Sequence, residues 1–165
     1  MTIPHQIFFA CVEQSCYIKL CGELRYTHAT GMDDLLARLV SKEIACDRLV
    51  IDLNQASFID STHIGMLASL ARFCQQQQLP KPTLFSTQAE VNTLLYGLCL
   101  DQAFDIIEQP TMQQFSMDPV AEKNYSEQQQ GLMILRAHQA LVALNDKNKS
   151  AFQPVVDLLK QQLGE

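Results

Sequence analysis

The 165-residue sequence contains no tryptophan and no Cys-x-x-Cys pair, and charged residues make up only 18% of it. Structural metal sites commonly use closely spaced cysteine pairs. The sequence also has no two-His or His/carboxylate metal spacing and no Gly-rich phosphate loop, so we expect no metal site and no bound cofactor. No uninterrupted apolar run approaches the ~18 residues that a membrane-spanning helix needs. The first ten residues lack the basic stretch and cleavage site of a signal peptide. We therefore expect a cytoplasmic protein that does not insert into membranes.

Basic residues are also scarce, because 12 Lys and Arg face 18 Asp and Glu and the net charge is −6. The acidity lies in residues 1–119, which hold 7 basic and 13 acidic side chains, whereas residues 120–165 hold 5 of each. A nucleic-acid partner would need a basic face, so this class of partner is not expected. The apolar content of 47% is that of a folded domain. The length allows one domain with an appendage.

Cysteine, in contrast, occurs at six positions: Cys11, Cys16, Cys21, Cys46, Cys74 and Cys99. Each lies inside or beside an apolar run, which is typical of small, buried, reduced thiols. The regular spacing of the first three indicates a β-hairpin and no particular chemistry.

Over residues 5–117, short apolar segments alternate with amphipathic ones, which predicts an α/β domain with a small, mainly parallel or mixed sheet. The predicted strands cover residues 7–12, 16–21, 49–53, 83–86 and 104–107. The first two form a hairpin across Glu13-Gln14-Ser15, and Gly22 ends the second. The predicted helices cover residues 27–42, 61–77 and 88–98, with a loop over 54–59. Thr111 and Gln114 have the spacing of a capping box that opens a further short helix.

Residues 118–125 are predicted to be a linker and residues 126–165 a C-terminal α-helical hairpin. Ser126 with Gln129, and Ser150 with Gln153, have capping-box spacing, so the helices are expected over 126–144 and from 150 onward. Pro154 then falls in a first turn, and Gly164 fits a helix end. One face of the last helix is apolar and carries Phe152, Val155, Val156, Leu159 and Leu163. This face must pack on the front domain, on a second copy in a homodimer or on a partner.

Two segments resemble the STAS domain (sulfate transporter and anti-sigma factor antagonist). Leu20-Cys21-Gly22-Glu23-Leu24-Arg25-Tyr26 is similar to the G-E-L-D turn after the second strand of that family. Residues 49–65, which end in Phe58-Ile59-Asp60-Ser61-Thr62-His63-Ile64-Gly65, are similar to the F-[IM]-D-S-[ST]-G-[LIV]-G signature of anti-sigma factor antagonists. The chain departs from the family at His63, where glycine leaves room for a partner backbone, and at Arg25, where aspartate is usual. The resemblance implies a STAS-like fold over residues 5–117 and phosphorylation of Ser61, with Thr62 as the second choice.

Physical chemistry favours the same serine. Asp60 stands where the N-cap of a helix belongs, and Ser61 follows in the first turn. Free N–H groups and the helix dipole favour negative charge there by ~0.3–1 kcal/mol. A phosphate would add nearly two charges to a corner expected to be exposed. If that charge cost a partner about 2.8 kcal/mol, its affinity would fall about 100-fold, which is enough for a switch. The alternative is that Asp60-Ser61-Thr62 is a plain helix cap.

The helix after Ser61 has two apolar stripes. Ile64, Leu67, Ala68, Ala71 and Cys74 form one, and Met66, Leu70 and Phe73 form the other. One stripe must pack on the sheet. The second is either an exposed protein-binding surface next to Asp60, Ser61, Thr62 and His63, or a surface that the C-terminal hairpin covers.

These features predict a regulatory protein and not an enzyme. Asp60, Ser61 and His63 are too close along one helix start to form a nucleophile–base relay. His28 or His138 could approach Ser61 in space, but a surface or core role is the more common one. The resemblance implies an anti-sigma factor antagonist whose unphosphorylated form binds an anti-sigma factor or a related kinase-fold regulator. A serine kinase and a phosphatase would then act on Ser61. The alternative is a STAS scaffold or sensor subunit of a transport or signalling complex.

Overall fold

The computed structural model describes residues 2–111 and 115–165, in which a mixed seven-stranded sheet is packed against helices. The strands are β1 Gln6–Val12, β2 Ser15–Leu24, β3 Arg48–Asp52, β4 Ala56–Ile59, β5 Thr83–Phe85, β6 Asp105–Ile107 and β7 Asp118–Pro119. The helices are α1 Thr30–Val40, α2 Ser61–Gln76, α3 Ala89–Gly97, α4 Glu127–Leu144 and α5 Asp146–Leu163. Short 3-10 turns cover Tyr26–His28 and Leu100–Gln102. The predicted α/β class and the C-terminal pair of helices are confirmed.

The sheet combines an antiparallel hairpin with parallel strands. Its order is β6-β5-β3-β2-β1-β7, with β4 attached separately to β2. Val12 lies opposite Ser15, so Glu13 and Gln14 alone form the turn, and both have positive φ as a tight hairpin turn requires. β3 and β4 both run parallel to β2: β3 pairs with its first half, and β4 pairs with its last residues, so β2 and β4 end side by side at Leu24 and Ile59. This is where α2 begins.

The prediction that Gly22 ends the second strand is wrong, since β2 continues to Leu24. Gly22 has φ +79°, and the pairing register shifts directly after it. This irregularity lets β2 leave β3 and pair with β4, which lies inside the predicted loop 54–59. A Cβ on Gly22 would lie 2.8 Å from the backbone of residues 3–5, so the crossing N-terminal segment requires glycine. The sequence did not predict β4, because a strand of four residues is too short to show a clear hydrophobicity pattern.

Helix boundaries differ from the predicted ones at two further places. The 3-10 turn at Tyr26–His28 is separate, and α1 starts only at Thr30. The last helix begins at Asp146, not at Ser150, because the Asn145 side chain accepts a hydrogen bond from Asn148 N at 2.8 Å. Pro154 therefore lies inside α5, on its exposed side. Gly164 ends the helix with φ +73°, as predicted. The predicted helix opening at Thr111 falls on residues 112–114, outside the described part of the chain.

One continuous apolar core extends from the sheet through α2 to α4. All six cysteines are free, and Cys16, Cys21 and Cys74 are buried as expected, whereas Cys11 at the hairpin tip is exposed. The expected apolar face of α5 is covered only in part: Val156 is 2% exposed, but Val155 is 39% exposed. No helix within residues 2–111 and 115–165 is both long and apolar enough to cross a membrane.

Candidate functional site

The site is built where β4 passes into α2. Asp60 has extended backbone angles and caps the helix, its Oδ1 accepting from His63 N at 3.0 Å. Its Oδ2 accepts from Tyr26 N at 2.6 Å, and Asp60 N donates to Leu24 O at 3.0 Å. The carboxylate thus joins the end of β2 to the start of α2. The predicted N-cap role of Asp60 is confirmed.

The charge of Asp60 is held by these bonds. Burial alone would raise the pKa of Asp60, but hydrogen bonds from the His63 side chain and from the backbone N–H groups of His63 and Tyr26 outweigh it. The pKa therefore lies below its ordinary value. The carboxylate stays ionised at neutral pH, directly before Ser61.

Ser61 has a partner that lies 77 residues further along the chain. Its Oγ lies 2.9 Å from His138 Nε2, on α4. His138 Nδ1 lies 2.8 Å from the carbonyl oxygen of Ile134, which can only accept, so Nδ1 carries the proton. In the neutral ring Nε2 then accepts, and the Ser61 hydroxyl donates to it. From the sequence, a surface or core role was the preferred prediction for His138. In the structure its ring is 6% exposed and contacts the candidate serine.

Ser61 opens onto a cleft of about 580 Å³. The cleft lies between the β2–α1 connection, the start of α2 and α4, and its lining includes Arg25, Tyr26, Ile134 and His138. Arg25 is more than a third exposed; its guanidinium lies 4.3 Å from the centre of the Phe58 ring and contacts Glu23. The departure from the family aspartate at position 25 therefore places a cation at the rim of this cleft.

The two neighbouring site residues point inward. Thr62 is 3% exposed, so Ser61 is the more accessible hydroxyl of the pair. The His63 ring is also buried, with Nδ1 3.3 Å from Asp60 Oδ1 and the ring of His5 packed against its edge. His63 is one of the residues expected to lie at a partner-binding surface, and in this structure its ring is buried. The close backbone approach that the family glycine would permit occurs instead at Gly65, which contacts Ala137 of α4.

The predicted exposed stripe on α2 is absent. Met66, Leu70 and Phe73 are 1%, 0% and 6% exposed, so of the two alternatives the covered stripe is the one observed. Met66 lines a groove between α1 and α4, together with Leu36, Val40 and Met133. At Met66 the stripe is therefore covered by α1 as well as by α4 of the tail hairpin, and α1 was not predicted to cover it.

Sequence reasoning missed two other residues that shape this site, Gly65 as a contact point and Asp33 as an anchor for the tail. Asp33 accepts from Arg136 and from the Tyr125 hydroxyl at 2.6 Å. No local pattern links residues about 100 positions apart. The only usable signal was the small-residue face of α2, on which Gly65 follows Ser61 by one turn.

Comparison with known proteins identifies the family. A family model described as the STAS domain matches residues 9–111, well over half of the chain. The chain therefore belongs to the STAS domain family, and the matched region spans strands β1 (from Phe9) to β6 and helices α1–α3 but not β7, α4 and α5. No curated protein matches the chain significantly.

Proposed function

We propose that the protein is a non-enzymatic anti-sigma factor antagonist that works by phosphorylation-controlled partner switching at Ser61. Its unphosphorylated form binds an anti-sigma factor or a related kinase-fold regulator. A serine kinase adds a phosphate to Ser61, and a phosphatase removes it. The STAS family membership supports a protein of this general kind, and the site geometry supports the particular residue.

The observation that carries the proposal is the position of the Ser61 hydroxyl. It stands in the first turn of α2, after an ionised N-cap, and lines a cleft with Arg25 at its rim. The dipole of a 16-residue helix favours a phosphate there, and Arg25, whose guanidinium contacts Glu23, supplies a cation to the lining of the cleft. Thr62, the alternative hydroxyl, is buried, whereas Ser61 lines the cleft and is the more exposed of the two.

The contact between Ser61 and His138 raises the question of nucleophilic catalysis. A serine–histidine pair acts as a nucleophile when a third group stabilises the imidazolium that forms. Here the group behind His138 is the neutral carbonyl oxygen of Ile134, and no carboxylate in residues 2–111 and 115–165 accepts from Nδ1. The Asp60 carboxylate bonds to His63 and Tyr26 instead. We therefore assign the pair to holding α4 in place and not to bond-breaking chemistry.

Phosphate incorporation tests the proposal directly. The purified protein is incubated with ATP and a lysate of the cells that produce it, and the intact mass and the modified peptide are then measured. We expect one added phosphate at Ser61 on the wild type and none on Ser61→Ala. Ser69→Ala is the matched control, because the Ser69 hydroxyl bonds only to Gly65 O within α2. Labelling of Ser61→Ala at the wild-type level would contradict the proposal.

Partner binding separates the proposal from its alternative. Affinity capture with wild type, Ser61→Ala and Ser61→Asp should recover the same regulator with the first two and lose it with the third. A partner retained equally by Ser61→Asp, such as a transporter subunit, would favour a STAS scaffold that does not switch at Ser61.

A further inference from the structure

Helix α4 lies directly on the face of α2 that starts at Ser61. A Cβ built on Gly65 would lie 2.1 Å from the carbonyl oxygen of Ala137, so the two helices meet backbone to backbone at this point. Gly65 lies one turn after Ser61, and Ala137 lies beside His138, so both contacts belong to a single seam between α2 and α4. A protein docking on this face of α2 would occupy the volume that α4 fills.

The Ser61 hydroxyl is itself part of this seam. It donates to His138 Nε2 at 2.9 Å, and the His138 ring packs against Phe152 of α5 at 5.7 Å between centroids. The hydroxyl proposed to receive the phosphate is therefore hydrogen-bonded in the docked state, that is, while α4 lies on α2. A phosphorylated Ser61 has no hydroxyl proton to donate, so this contact belongs to the unmodified chain.

Elsewhere the tail is held by apolar contacts of α4, whose Met133, Ala137, Ala140 and Leu141 belong to the core, and by polar contacts near the surface. Arg136 lies 3.0 Å from Asp33 Oδ2, and its side chain is 56% exposed. Asn148 Nδ2 donates to Leu98 O at 2.8 Å, and Lys147 Nζ donates to Gly97 O at 3.2 Å. The Lys147 contact and the Arg136 side of the ion pair lie close to water, which replaces such contacts at little cost. The Asp33 carboxylate is only 10% exposed, so opening of the pair has to bring it, and the apolar residues of α4, into contact with water.

The outer helix adds little apolar burial on the domain. Val156 and Asn148 are the only residues of α5 that are buried, and Leu158 is 55% exposed. The Leu163 side chain packs over Gly131 of α4, so α5 is attached mainly to α4. Because α5 packs mainly on α4, we expect the two helices to move as one unit.

We propose that the α4–α5 pair is an internal competitor that gates Ser61. In the docked state α4 covers the α2 face next to Ser61, and a kinase or a macromolecular partner reaches that face only after the pair has moved away. The inference rests on the proposed function for the identity of the competing proteins. The opening of the pair is measurable without them. Because binding requires the open state, the apparent affinity of any partner is lowered by the fraction of chains that are open.

Hydrogen exchange measured by mass spectrometry on the full chain tests the opening. Amides of α4 should exchange at least about tenfold faster than those of β3, because the pair opens while the sheet stays folded.

Variants of the Ser61–His138 contact should change the exchange rate of α4. Ser61→Ala should speed α4 exchange about fivefold, the effect of losing one hydrogen bond, with β3 unchanged. His138→Ala, with its added loss of ring packing, should do at least as much. The double variant should fall short of the product of the two single effects, because both remove the same bond. In Thr93→Ala, which removes an exposed hydroxyl that bonds to Ala89 O within α3, α4 exchange should equal the wild type. Exchange of α4 only together with β3 would overturn the competitor model.

Gating is tested by the rate of phosphate incorporation at Ser61 in the ATP-supplemented lysate. His138→Ala keeps Ser61 and should be labelled about fivefold faster than the wild type. Gln139→Ala, an exposed neighbour on α4, should be labelled at the wild-type rate. Equal rates in His138→Ala and wild type, with α4 exchange faster in the variant, would overturn gating while leaving the proposed function intact. No label at Ser61 in any variant would overturn the proposed function and the gating with it, whatever the exchange data show.

Discussion

Helices α2 and α5 are of similar length, 16 and 18 residues, but they meet water in opposite ways. Eleven residues of α2 are buried, and only two of α5 are. α2 is enclosed because the sheet, α1 and α4 all pack on it, whereas α5 rests chiefly on α4. Because α4 packs on α2, the start of α2, where Ser61 lies, is the junction between the STAS domain and its tail.

The largest difference in the free energy of unfolding is expected when one leucine in each helix is replaced by alanine. Leu70 is 0% exposed and Leu158 is 55% exposed. Leu70→Ala should lower the free energy of unfolding by about 2–5 kcal/mol, because it removes buried contacts and leaves a cavity. Leu158→Ala should change it by less than about 0.5 kcal/mol. Urea denaturation measures both, and equal losses would mean that α5 is buried in solution, by a second copy or another partner.

Replacing one glycine at the junction and one away from it tests how closely α4 packs on α2. Gly65→Ala forces a methyl group into the Ala137 backbone and should cost about 1–3 kcal/mol, with α4 displaced. Gly97→Ala meets nothing within 4 Å and ends α3, so it should be neutral or stabilise by up to about 1 kcal/mol. The two melting temperatures compare the same chemical change in closed and open surroundings. A Gly65→Ala protein as stable as wild type would show that α4 does not dock closely.

The smallest effect concerns the Asp60 cap and its pH dependence. Asp60→Ala should cost about 0.5–2 kcal/mol at pH 7, because two N–H groups lose their acceptor. Since the pKa of Asp60 is lowered in the folded state, its ionised form stabilises the fold above the unfolded pKa near 4. That stabilisation is lost as the pH falls through the lower, folded pKa. Unfolding measured from pH 7 to pH 3 should therefore show the variant and wild type converging in acid, and a constant difference would contradict this role.

Much of the STAS region could be predicted from local sequence. The Glu13-Gln14 turn, the apolar β3 segment and the Asp60 cap each depend on neighbours within a few residues, so composition and spacing were sufficient. The same holds for Ser126 and Gln129, whose side chains form the predicted capping box of α4. Where two local signals competed, spacing alone misled: Asn145 caps α5, although Ser150 has the better pattern.

The sequence by itself determined the α/β class, the family signature and the position of Ser61 at a helix start, because each is encoded by residues close together in the chain. Only the tertiary structure decided what surrounds that serine. The His138 contact and the closed seam at Gly65 arise from segments about 70 residues apart, and Met66 is covered by α1 as well as by α4. A helix with two apolar stripes specifies that both must be covered, but not by which segment. That choice depends on the summed packing of the whole chain, which no local pattern records.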